Sequence, residues 1–147
     1  MLVFVTGLIV GFAAPIMHIN SGEWDIDRAA AFLIIPLGDM LLFGSLFGAA
    51  IILRKNIETH KRLIILATVA LTFPAVARLG LGFGIMFLLV WLSPVIIAMA
   101  YDLLVRRLMH PTYIMGLIIL LVGVSRMFFR HSEAWITVGR GMLNVMM

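Results

Sequence analysis

The sequence predicts an all-α fold: a polytopic transmembrane helical bundle of about five spans, plus an interfacial C-terminal helix, in a single domain. The first observation is composition, since 63% of the 147 residues are hydrophobic and 12% are charged, with a mean hydropathy of +1.16. A soluble domain has about 45–50% apolar and about 25% charged residues. The second observation is that the apolar residues form stretches of about 20, the length of a helix that crosses about 30 Å of hydrocarbon.

Two spans are predicted in the first third of the chain, from Leu2 to about Met17 and from about Ala31 to Leu53. The polar connection His18–Arg28 joins them, and Trp24 suits an interface anchor there. No basic segment precedes the first span, so we interpret it as a retained helix rather than a cleaved secretory signal. Its abrupt apolar start is compatible with a natural start further upstream.

Three further spans are predicted, with short polar connections between them. The spans run from Leu63 to about Gly80, with a kink at Pro74, from about Ile85 to Val105, and from Thr112 to about Phe129. The connections before them are the polar break Arg54–Arg62, a turn at Gly80, Gly82 and Gly84, and the turn Arg106–Pro111. Proline lacks the N–H that the helical ladder needs, which is why a kink is expected within the third span. The break Arg54–Arg62 is predicted to lie in water or among headgroups.

The last segment, Arg130–Met147, is either an interfacial helix or a sixth, incomplete span. We favour the interfacial helix because Arg140 interrupts the apolar pattern and Trp135 suits headgroup depth.

Basic residues in the short connections predict the orientation, because the face richer in Lys and Arg is cytoplasmic. One set of connections holds six, Arg54, Lys55, Lys61, Arg62, Arg106 and Arg107, and the opposite set holds three, Arg28, Arg130 and Arg140. Residues 54–62 and 106–111 are therefore predicted in the cytoplasm. With five spans the N-terminus is cytoplasmic and the C-terminus outside, whereas a sixth span would return the tail to the cytoplasm.

Ionisable residues within the predicted spans are the candidate functional residues, because each costs about 2.5–3.5 kcal/mol on insertion scales unless it has a partner or a watery cavity. Asp39 and Arg78 are both predicted in the outer half of the bilayer, where a guanidinium bound to a carboxylate would pin two helices or form a site for an anion, a proton or a polar substrate. Arg126 is a candidate third member of this cluster.

A second candidate cluster is predicted at the cytoplasmic side around Asp102. The simpler interpretation is a structural salt bridge between Asp102 and Arg62. The alternative is an acid and base pair of Asp102 with His60, because imidazole changes charge near neutral pH. His110 is predicted on the same side and is included in this cluster.

The four histidines suggest a different function. His18 and His131 are predicted outside, and His60 and His110 inside, so each face has a pair. Two facing imidazoles are the axial ligands of a b-type haem, and two such pairs would make an electron path across the membrane. The competing interpretation is that all four lie at helix ends simply because histidine is comfortable at an interface.

Other sequence signals favour a non-enzymatic protein. The chain has no cysteine, and it has no HExxH, P-loop or G-x-S-x-G motif. The net charge of +4 reports membrane orientation rather than nucleic-acid binding. We expect a membrane-embedded bundle whose ion pairs organise the helices and bind a small ligand or lipid. The alternatives are a haem b cytochrome and an accessory subunit with a membrane-protein partner; a homo-oligomer also fits.

Short segments of the chain carry a resemblance to a known family. They are Pro36-Leu37-Gly38-Asp39, His60-Lys61-Arg62-Leu63 followed by a helix with Arg78, Tyr101-Asp102-Leu103-Leu104, His110-Pro111, and Ala134-Trp135 with Arg140. From about Ala31 onward the chain resembles an uncharacterised family of bacterial multi-pass membrane proteins with an HKRL segment. The resemblance implies a bacterial membrane location and additional N-terminal sequence, and it brings no known activity.

Overall fold

The computed structural model describes residues 2–82 and 84–146, and its regular structure over these residues is entirely helical, so the predicted all-α fold is confirmed. The helices are α1 Leu2–Asn20, α2 Ile26–Ile52, α3 Ile57–Ala77, α4 Ile85–Arg106, α5 Pro111–Val124, the single turn α6 Arg126–Phe129, and α7 Glu133–Met146.

Four segments of the described chain are long and apolar enough to cross a membrane: α2, α3, α4, and the segment Pro111–Phe129 that joins α5 to α6. The remaining predicted span corresponds to α1, Leu2–Asn20, which is not among these four candidate spans. An apolar helical chain of this kind is compatible with a membrane protein.

Two helices begin earlier than the apolar pattern predicted, and at α3 a local cap rather than hydropathy marks the start. α2 begins at Ile26, whose backbone N–H donates to Asp25 Oδ1 at 2.9 Å. α3 begins at Ile57 instead of Leu63, because the Asn56 side chain accepts from the N–H of Thr59 at 3.2 Å and so caps the helix. The stretch 54–62 is therefore not one open connection, since Arg62 is helical and 4% exposed. Its placement in water or among headgroups stays a prediction.

Left-handed backbone conformations mark the turns on either side of α4. α3 ends at Ala77, and Gly80 and Gly82 follow with φ of 70° and 66°, values that glycine adopts at little cost. Arg107 ends α4 with φ of 54°. Pro111 then occupies the first position of α5, where its missing N–H is not needed.

The chain forms two compact units, and the first contains residues 1–40 and 122–147. In this unit α1 approaches α2 closely, since a Cβ built on Gly11 would lie 2.7 Å from the Pro36 side chain. Gly7 likewise faces the side chain of Met40, so this pair of glycines serves packing within the chain. The centre of the unit is a buried apolar cluster of Ala29, Ala30, Leu33 and Leu143.

α7 is amphipathic and is fixed to the beginning of α2. Trp135 Nε1 donates to the backbone carbonyl of Ala30 at 2.9 Å, and Arg140 forms a salt bridge with Asp27. The hydrogen bond that Arg140 Nε donates to Asp27 Oδ1, together with the negative charge of Asp27, raises the pKa of Arg140 above its ordinary value. The strongly amphipathic pattern of α7 favours the interfacial helix over a sixth span.

The second unit contains residues 41–121, and its centre is the packing of α3 against α4. Phe73 meets Phe87 and Trp91 edge to face, with both pairs of ring centroids 5.1 Å apart. Trp91 Nε1 donates to the carbonyl of Val69 at 2.9 Å, which satisfies the polar atom of this otherwise apolar contact.

Two glycines of α7 provide a matched test of how α7 packs on α2. A Cβ at Gly139 would lie 3.0 Å from Ala30 Cα and 3.1 Å from its carbonyl oxygen, whereas a Cβ at Gly141 meets nothing within 4 Å. We expect Gly139→Ala to lower the free energy of unfolding in detergent by about 1–3 kcal/mol. Gly141→Ala should leave it unchanged or raise it by up to about 1 kcal/mol through helix propensity. Equal effects of the two substitutions would show that α7 does not pack on α2 in this way.

Candidate functional site: charged clusters within the apolar helices

The outer cluster is a buried ion pair between Asp39 and Arg126, both in the first unit. Asp39 comes from the middle of α2 and is 2% exposed. Arg126 Nη2 donates to its Oδ1. Asp39 lies eight residues beyond Ala31, or about 12 Å along the helix, so the pair occupies a depth at which hydrocarbon surrounds the helix if α2 spans the membrane.

Local sequence explains how a long arginine side chain fits against α2. Gly38 precedes Asp39, and a Cβ at this position would lie 2.6 Å from Arg126 Cδ. The absence of a side chain at Gly38 therefore makes the channel through which the Arg126 stem reaches the carboxylate. Arg126 itself is the first residue of the single turn α6, which begins just after α5 ends at Val124.

The predicted pairing of Asp39 with Arg78 is wrong, because the structure supplies a different cation. Arg78 is exposed and follows α3 as its C-cap residue, with its backbone N–H bonded to carbonyls of the preceding turn. Arg126, which the sequence offered as a third member, is instead the direct partner. Sequence analysis assumed that neighbouring spans pair, whereas the last span supplies the charge.

The inner cluster joins two arginines and two carboxylates in the second unit. Arg62 Nε donates to Asp102 Oδ2 at 2.8 Å, and Nη2 donates to the same oxygen. Arg62 Nη1 donates to the Glu58 carboxylate at 2.9 Å, and Arg106 lies 2.5 Å from the same carboxylate. The cluster contains two positive and two negative charges and so carries no net charge.

Helical spacing builds this inner cluster from two faces. Glu58 and Arg62 are four residues apart on α3, and Asp102 and Arg106 are four residues apart on α4, so each pair lies on one side of its helix. Tyr113 of α5 places its ring under Arg62, with the guanidinium carbon 5.5 Å from the ring centroid. Glu58 and Tyr113 were missed by sequence analysis, although the i, i+4 spacing of Glu58 and Arg62 was a readable signal.

The alternative acid and base pair of Asp102 with His60 does not form. His60 Nδ1 is 2.8 Å from the carbonyl of Ala50, while Asp102 is occupied by Arg62. The salt bridge that was the simpler interpretation is present. His110 Nδ1 accepts from the backbone N–H of Thr112 at 3.3 Å, so His110 does not join the charged cluster through that nitrogen.

The histidines expected outside both lie in the first unit. His18 Nδ1 lies 2.6 Å from Glu23, and its ring stacks on Trp24. His131 is exposed beside Arg130. In the inner pair, a neutral His110 that accepts at Nδ1 carries its proton on Nε2, which disfavours iron binding there. Haem ligation by these histidines stays a prediction.

Some of the residues that carried the family resemblance lie in or beside these clusters, and three of them, Asp39, Arg62 and Asp102, are cluster members. Pro36 packs on Gly11, Gly38 admits Arg126, and Asp39 pairs with it. In the HKRL segment, His60 and Arg62 make the bonds described above and Leu63 is buried, while Lys61 is exposed. Comparison of the chain with protein-family models, with curated proteins and with solved structures finds no match.

A double-mutant cycle tests the outer pair. Asp39→Asn or Arg126→Gln alone leaves one buried charge uncompensated, and each should lower the free energy of unfolding in detergent by about 3–5 kcal/mol. The double variant should lose less than the sum of the two. Arg78→Gln, which removes an exposed cation, serves as the control and should change stability by under about 0.5 kcal/mol. Strict additivity of Asp39→Asn and Arg126→Gln, or coupling of Asp39 to Arg78 instead, would contradict the pairing.

Adjacent basic residues on α3 test the inner cluster. Arg62→Gln removes the partner of buried Asp102 and should destabilise the protein by about 3 kcal/mol or more. Lys61→Gln removes the same charge at the neighbouring exposed position and should change stability by under about 0.5 kcal/mol. Thermal unfolding in mild detergent measures both. A tolerated Arg62→Gln would mean that the cluster does not hold α3 to α4.

Proposed function

We propose that this chain is a multi-pass protein of the bacterial inner membrane that binds a small ligand or lipid and is not an enzyme. The observation that carries the proposal is that the buried carboxylates within the apolar helices are paired with arginines. Asp39 and Asp102 are both buried in candidate spans, and each is bound by an arginine of the same unit. Such pairing is what a charged group requires in a solvent that cannot hydrate it.

The same observation argues against acid or base catalysis by these carboxylates. A general acid or base needs a titratable group within reach of a substrate. The carboxylates of Asp39 and Asp102 are instead buried against guanidinium groups, in geometry that suits helix packing. The resemblance of the HKRL and PLGD segments to bacterial multi-pass proteins supports the inner membrane as the location.

The cysteine-free sequence permits a direct test of topology with single cysteines. Ile57 is 61% exposed at the start of α3, and its replacement by cysteine preserves both the cap at Asn56 and the basic residues. Ser21 is exposed in the connection before α2. A membrane-impermeant thiol reagent should label Ser21→Cys in intact cells and Ile57→Cys only after permeabilisation.

Two other results are informative. Labelling of both positions in intact cells would show that α2 does not cross the membrane, and the reverse pattern would overturn the orientation alone. An absorption spectrum and mass analysis of the protein purified in mild detergent separate the alternatives. A Soret band would indicate a cytochrome, and a stoichiometric second polypeptide would indicate an accessory subunit.

A further inference from the structure

A cleft of about 280 Å³ opens in the first unit, with two arginines and a histidine among aromatic and aliphatic side chains. The side chains used below are Trp24, Arg28, Phe32, Ile35, Arg130 and His131. Arg28 lies in the first turn of α2, and Arg130 directly follows the candidate span Pro111–Phe129. The start of one span and the end of another therefore meet at this cleft. If both spans cross the bilayer, the cleft lies at the depth of the lipid headgroups.

The cleft has an excess of positive charge. The acidic residues of the adjoining connection have partners elsewhere: Glu23 binds His18, Asp27 binds Arg140, and Asp25 accepts from the N–H of Ile26. Across the described parts of the chain, neither Arg28 nor Arg130 forms a salt bridge with a carboxylate. Two exposed guanidinium groups thus face one opening, and guanidinium matches the geometry of phosphate oxygens.

The aromatic wall of the cleft is held in place by its own contacts. The Trp24 ring stacks on His18 with centroids 4.4 Å apart and meets Phe32 at 5.2 Å. The guanidinium carbon of Arg28 lies 5.5 Å from the centroid of Trp24, a cation–π distance that orients the arginine. Below this wall, Phe32 and Ile35 continue along α2 in the direction of Asp39, so the cleft is charged at one end and apolar at the other.

We propose that this cleft binds an anionic phospholipid, with Arg28 and Arg130 on its phosphate and its acyl chains along Phe32 and Ile35. The inference rests on the proposed membrane location and gives a lipid as the ligand. A volume of about 280 Å³ lies near the lower end of ligand pockets, about 300–1,000 Å³. The cleft accommodates a headgroup, and the acyl chains extend along the helix surface into the bilayer. Free inorganic phosphate would bind the two arginines, but it would make no contact with the apolar wall of the cleft.

The test measures lipid retention and thermal unfolding of the full chain in mild detergent, with added dioleoyl phosphatidylglycerol, dioleoyl phosphatidylcholine or inorganic phosphate. We expect native mass spectrometry to show one retained phosphatidylglycerol and the unfolding midpoint to rise with this lipid. Phosphatidylcholine, whose choline is repelled by the arginines, and inorganic phosphate should give little of either effect. Arg28→Gln with Arg130→Gln should weaken phosphatidylglycerol binding by about tenfold or more.

The control removes two exposed arginines outside this cleft, with Arg54→Gln and Arg107→Gln, and should retain the lipid. Equal retention of phosphatidylcholine would show ordinary interfacial arginines rather than an anionic lipid site. A full effect of inorganic phosphate alone would show a free-anion site, and unchanged binding by the Arg28 and Arg130 variant would place the lipid elsewhere; each result overturns the proposal. If the double variant unfolds without lipid, the comparison of headgroups on the unaltered protein remains decisive. Failure of the proposed membrane location is recognised separately by the cysteine labelling pattern.

Discussion

A charge placed within a hydrocarbon layer cannot be stabilised by water, so it has to be neutralised by another part of the same molecule. If the candidate spans cross a membrane, that constraint acts on Asp39 and Asp102, which lie within largely apolar helices. Arg126 neutralises the first and Arg62 the second. Each bond joins residues far apart in sequence, 87 and 40 positions respectively, so charge neutralisation also fixes which helices pack together within each unit.

Small residues and ring geometry make these bonds sterically feasible. Gly38 leaves the space that the Arg126 stem fills, and Gly11 lets α1 rest on Pro36 one turn away. In the second unit, the ring of Tyr113 under Arg62 covers the guanidinium face that the carboxylates do not reach. In each unit the charged cluster and the close helix contacts are therefore formed together. Thirteen glycines in the chain are compatible with such close helix packing.

Sequence analysis predicted the helical class and the positions of the apolar segments, because long apolar runs separated by polar breaks are directly visible in the hydropathy of the sequence. It also identified Asp39, Arg62, Asp102 and Arg126 as the charges that need partners. It paired Arg62 with Asp102 correctly, but it failed on the partner of Asp39 and on helix starts. Hydropathy does not encode which helices touch, so Arg78 was chosen over Arg126. The start of α3 was missed because the Asn56 cap lies within a polar stretch that hydropathy treats as a loop. The cleft at Arg28 and Arg130 was beyond reach, since its two sides come from opposite ends of the sequence.

The most direct test is a depth measurement at Leu41, which is two residues beyond Asp39 on α2 and is 73% exposed. A spin label on Leu41→Cys in a lipid bilayer can be relaxed by oxygen, which concentrates in hydrocarbon, or by a water-soluble nickel chelate. Burial of Asp39 in a membrane-spanning helix predicts strong relaxation by oxygen and almost none by the chelate. Strong relaxation by the chelate would place water at this level of α2 and contradict the conclusion that the Asp39–Arg126 bond replaces hydration.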